Sequence, residues 1–107
     1  VSYLRQQPES GRLVQQHRRE QLIRAALPLA EKHGFERVTR NMVAAAAGCS
    51  ASLISAYWTA PNLQTAIMEE AVRVKCLRVI AQGLASNHPA ALGAPFEVRK
   101  LAAASLV

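Results

Sequence analysis

The stretch Thr39-Arg40-Asn41-Met42-Val43-Ala44-Ala45-Ala46-Ala47-Gly48-Cys49-Ser50-Ala51-Ser52-Leu53-Ile54-Ser55-Ala56-Tyr57-Trp58 decides the fold. Thr39 is a good N-cap, and the alanine-rich run after it predicts a short helix over about Arg40 to Ala47. Gly48 supplies a turn that a β-carbon would disfavour, and Ser50 caps a second short helix, about Ala51 to Trp58. Two short helices around a tight turn have the spacing of a helix-turn-helix, whose second helix can enter the DNA major groove. Ala44 and Ala47 are small where the two helices cross, and Leu53 or Ile54, Tyr57 and Trp58 can bury the back of the second. The helix that would read DNA has no cation of its own: from Asn41 to Met68 no side chain is charged.

Upstream, a helix is predicted from about Leu13 to Lys32. Leu22, Ile23, Ala26, Leu27 and Ala30 recur at helical spacing, and Gly34 follows as a stop. Pro28 lacks the amide that would bond to Arg24, so a kink or a split is expected there. Residues 1–12, with Pro8, Ser10 and Gly11, read as a flexible basic arm carrying Arg5 and Arg12. Downstream, Pro61 opens a long helix, about Asn62 to Leu84. Its apolar residues Leu63, Ile67, Val74, Leu77, Ala81 and Leu84 fall close to a 3.5-residue repeat. A last helix follows Gly93-Ala94-Pro95 and carries Phe96, Leu101 and Leu106. The expected architecture is all-α: a small bundle of about five helices. Residues 13–107 form one domain, with the helix-turn-helix at about 39–58 and the long and C-terminal helices in 62–107.

Composition agrees. Half of the 107 residues are apolar but only 5% are aromatic, and alanine and leucine favour helix over strand. The net charge is +6 and the pI near 10.2, which suits an acidic partner, nucleic acid first. Cys49 and Cys76 make no disulfide framework and lack metal-ligand spacing, so both read as reduced structural thiols of a cytoplasmic protein. No run is long enough to span a membrane. His17, His33 and His88 share no ligand spacing, and Ser50, Ser52 and Ser55 have no His or Asp pattern beside them. No nucleophile elbow, phosphate-cradling loop or paired carboxylate is present, so no enzyme, metal or cofactor is expected.

The residues from Ile23 to Trp58 resemble the N-terminal domain of the tetracycline-repressor-like (TetR) family of bacterial regulators. The resemblance is carried by Ile23 and Ala26, Gly34-Phe35, Thr39, Val43-Ala44, Ala47-Gly48-Cys49-Ser50, and Tyr57-Trp58 where the family usually has Tyr-Phe. There are departures. Ala51, Ser52 and Leu53 stand where the family commonly has Lys-Gly-Thr. Ser55 replaces the first tyrosine of its Leu-Tyr-x-Tyr-Phe run. Ala60-Pro61-Asn62 replaces Ser-Lys-Glu, which removes a phosphate-contacting lysine. Too few residues follow Asn62 for the family's ligand-binding domain, so no small-molecule effector is implied.

The resemblance implies a transcriptional regulator, a repressor by default, that binds double-stranded DNA. Phosphates would be met by Arg18, Arg19, Arg37, Thr39, Arg40 and Tyr57, with Arg24 beside them. Base edges would be met by Asn41, Ser50, Ala51, Ser52 and Ser55, a set that discriminates weakly because serine bonds to any base and alanine touches only a thymine methyl. A homodimer would multiply the contacts of one helix-turn-helix, its seam formed by Val74, Leu77, Leu84, Phe96, Leu101 and Leu106. The alternative is a protein-binding module of phage or plasmid type that keeps the fold and docks on another protein through its uncharged face. A fragment of a larger regulator is a third.

Overall fold

A computed structural model describes the backbone of residues 2–105 and the side chains of residues 14–105. Seven α-helices are present among them: α1 Ser2–His33, α2 Arg40–Ala47, α3 Ala51–Tyr57, α4 Ala60–Val74, α5 Leu77–Ala85, α6 Pro89–Leu92 and α7 Phe96–Ala104. A 3-10 turn, Phe35–Arg37, joins α1 to the α2–α3 pair. The fold is all-α, as the sequence predicts, with two differences in how the helices are cut.

The first difference is at the start. The helical backbone begins at Ser2, not after an arm ending at residue 12. Leu106, placed in the dimer seam from sequence, lies outside the described residues. Pro28 does not split α1. It lies on the exposed face, where water can serve the carbonyl that its missing amide leaves behind.

The second difference is the expected long helix, which is two. Lys75 adopts the left-handed conformation (φ 59°) and ends α4, and its amide and that of Cys76 turn back to carbonyls of the last turn. No glycine or proline marks this break, and the apolar repeat runs through it because α4 and α5 bury successive faces in one core. A short α6 follows, capped by His88, whose Nδ1 accepts from the Ala90 amide.

The core is continuous through the molecule. Leu22, Ile23, Ala26 and Ala30 of α1 pack with Phe35, Val38, Val43, Ala44, Ile54 and Trp58, and this set joins Leu63, Ile67 and Met68 of α4. Val79, Ile80, Ala91, Val98 and Ala102 extend it to α7. Each fully buried Ile, Leu or Met contributes about 2 kcal/mol by leaving water. Gly83 lets α5 approach its neighbours: a β-carbon there would lie 2.6 Å from Met68 Cε and 2.7 Å from Ala91 Cβ.

The turn that aims the α2–α3 pair is held from behind. Gln82 of α5 accepts from the Phe35 amide at 2.9 Å and donates to the Ala30 carbonyl at 3.1 Å. Gln64 of α4 donates to the Glu36 carbonyl, and Ser86 donates to the Glu36 carboxylate. The orientation of α2 therefore depends on residues some 50 positions away in sequence.

Candidate nucleic-acid interface

Local sequence sets the two short helices. Thr39 Oγ1 accepts from the Met42 amide at 3.1 Å and Ser50 Oγ from the Leu53 amide at 3.2 Å, so each helix starts on its own side-chain cap. Gly48, at φ 72°, ends α2 in the left-handed region, and its amide and that of Cys49 both donate to the Ala44 carbonyl. Ile54 and Trp58 bury the inner face of α3, leaving Ser52, Ser55 and Ala56 outward.

Cations reach the borders of α3 from its neighbours. Arg18 lines a groove beside the α2–α3 turn with Ala47, Gly48 and Cys49. Arg19 stacks over the Trp58 indole, 5.1 Å from the ring centroid, and also lines a groove with Leu53, Ala56 and Tyr57. Arg40 and Asn41 share a third groove with Ala51 and Ser55. Arg40 Nη1 donates to Ser55 Oγ at 3.2 Å.

The other sequence-predicted residues have more particular places. Thr39 and Ser50 commit an oxygen lone pair to capping. Ala51 is half-buried against the core. Tyr57 is half-buried, its ring centroid 5.5 Å from that of Trp58. Arg37 is not brought to this face: it borders a dip with Gln82 and Ser86 on the α5 side. Gln15 and Gln16, not among the expected DNA contacts, line the Arg19 groove. They lie three and four residues before Arg19 on α1, and that spacing was the available signal. The Trp58 indole N–H is buried without a partner, a cost that a phenylalanine at this position would not carry.

The apolar residues expected at a dimer seam differ in exposure. Phe96, Leu101 and Val74 are 65%, 57% and 45% exposed, while Leu77 and Leu84 are half-buried against the core. Among the histidines, His17 and His33 are exposed and His88 is occupied in capping α6. The Cys76 thiol donates to Glu31 Oε1 at 2.8 Å, and burial, then this carboxylate, pushes its pKa up. Neither cysteine is in a disulfide. Among the described residues, no helix is long and apolar enough to cross a membrane.

Two capped short helices, a left-handed glycine between them and a supporting α1 packed behind define a helix-turn-helix protein. Residues 22–60 match the family model for bacterial regulatory proteins of the tetR family. This segment matches the N-terminal helix-turn-helix domain of that family of bacterial regulatory proteins. No curated protein and no solved structure matches the chain.

Proposed function

We propose that this protein is a sequence-specific, DNA-binding transcriptional regulator acting as a repressor, with α3 in the major groove of double-stranded DNA. The observation that carries the reading is the placement of charge. An uncharged α3 is bordered by guanidinium groups from α1 and α2, with Arg18, Arg19 and Arg40 each on a groove beside it. Phosphate neutralisation supplies most of the affinity for duplex DNA, and flanking cations can provide it while α3 lies between them. Thr39 and Tyr57 add polar contacts at the rim, and Arg37 contributes long-range charge.

Base contacts fall to Asn41, Ser50, Ser52 and the Ala51 methyl. None forms the bidentate arginine–guanine pair, so specificity is modest and shared with DNA shape. Two copies read two half-sites, joined through the exposed Phe96, Leu101 and Val74, with the half-buried Leu77 and Leu84 contributing. The protein acts in the cytoplasm, where its DNA is, and needs no cofactor.

The test is selection from a pool of random duplexes at two salt concentrations, with sequencing of the retained fraction. The reading expects an enriched palindrome whose retention falls steeply with salt. No retention even at low salt would sink it and favour docking on a protein through the Ala/Ser face.

A further inference from the structure

The groove between the start of α2 and the second turn of α3 encloses about 340 Å³ and holds the Arg40–Ser55 hydrogen bond. Apart from Asn41, which makes no side-chain hydrogen bond among the described residues, its larger polar groups are already engaged. Thr39 Oγ1 caps α2, and Gln64 Nε2 donates to the Glu36 carbonyl. Glu36 is the one carboxylate lining the groove, and it accepts from Ser86 on the α5 side. The ion pairs among the described residues, Arg24–Glu20 and Arg73–Glu70, do not involve Arg40. Arg40 thus holds a surface cation, oriented by one of its five N–H donors, with four left to offer.

We propose that Arg40 grips one phosphate of the bound duplex, and that Ser55 is its positioning residue rather than a reader of bases. This rests on the DNA-binding function proposed above. An arginine on a bare surface samples many rotamers and loses that freedom on binding. The bond to Ser55 removes part of the loss before DNA arrives. The planar fork matches two phosphate oxygens, which a lysine at this site could not do. The position also favours phosphate over base. Arg40 starts α2 beside the outward face of α3, and Ser55 lies in the second turn of α3, whereas base edges are met by the first residues of a reading helix. The arrangement accounts for an α3 without charge: the cation it lacks is delivered to its flank from α2 and held there by a serine.

The experiment measures binding of the full chain to labelled duplexes across a salt series, for wild type, Arg40→Ala, Arg40→Lys, Ser55→Ala, Ser55→Thr and the double alanine variant. Circular dichroism melts accompany each. Both side chains lie at the surface, so the melts are expected to agree. Arg40→Ala is expected to weaken binding to every sequence and to reduce the slope of log affinity against log salt by about 0.9. Arg40→Lys should keep the slope and lose affinity. Ser55→Ala should cost about threefold with the slope unchanged, and nothing further once Arg40 is gone. Ser55→Thr, which keeps the hydroxyl, should restore binding.

Three results would overturn the proposal. One is an equal Ser55→Ala cost with and without Arg40, which would make Ser55 a direct contact. The second is an Arg40→Ala loss confined to one base pair with no change of slope, which would make Arg40 a base reader. The third is an Arg40→Ala variant that binds like wild type. A wild-type protein that binds no duplex at low salt would remove the parent function as well, and so is distinct from these.

Discussion

Gln82→Leu tests whether α5 holds the helix-turn-helix in place. The Gln82 side chain satisfies two backbone groups at the α1–α2 junction, the Phe35 amide and the Ala30 carbonyl. Their losses are unequal. The Ala30 carbonyl keeps a second partner, the Gly34 amide at 2.9 Å, whereas the Phe35 amide has no other acceptor among the described residues. Leaving one buried amide unpaired costs about 1–3 kcal/mol, and the lost bond to Ala30 adds about 0.5 kcal/mol at a half-buried site. A buried leucine recovers up to about 1 kcal/mol through its apolar surface. The expected net loss is about 2 kcal/mol, which lowers Tm by roughly 10 °C for a domain of this size. Urea unfolding read at the Trp58 fluorescence and by circular dichroism would measure it, with the midpoint falling and the m-value constant. Duplex affinity well below Tm should fall only a few-fold, since α2 and α3 keep their own caps. A stability change under about 0.5 kcal/mol would refute the reasoning and mean that water replaces the side chain at no cost.

Gly48→Ala should cost about 1 kcal/mol through its left-handed φ alone, because nothing lies within 4 Å of the added carbon. Lys75→Gly carries the opposite sign and should raise the urea midpoint by the equivalent of about 0.5–1 kcal/mol, since Lys75 holds the same conformation at the end of α4. Gly83→Ala should destabilise by about 1 kcal/mol: the strain of a β-carbon 2.7 Å from Ala91 Cβ, about 2 kcal/mol, exceeds the helix-propensity gain of about 1 kcal/mol. The Cys76 pKa is raised in the folded state above its ordinary 9.0. The unfolded thiol therefore ionises first, and Cys76 contributes stability below that pH that is lost as pH climbs through the folded value. Wild type should lose stability faster than Cys76→Ala in melts from pH 8 to 10.5; parallel curves would contradict the assignment.

The sequence by itself determined the class of fold and the two short helices of the helix-turn-helix. Thr39, Gly48 and Ser50 act over three or four residues, and a cap or a left-handed turn needs no distant partner, so both short helices were legible within about a turn. The apolar spacing of Leu22, Ile23, Ala26 and Ala30 likewise named the buried face of α1. Periodicity did not reveal the break at Lys75. A lysine in the left-handed region carries no compositional mark, and the conformation is imposed by α4 and α5 folding onto one core.

Only the tertiary structure decided which polar residues meet. Arg37 and Arg40 are three apart in sequence, yet one borders Gln82 and Ser86 and the other bonds to Ser55. Ser55, expected from sequence to meet base edges, is engaged with an arginine fifteen residues away. The Gln82 clamp spans about fifty residues and has no local signal at all. Helix identity follows from interactions a few residues long, which sequence displays. The pairing of side chains across helices follows from how those helices pack, and that geometry exists only once the chain has folded.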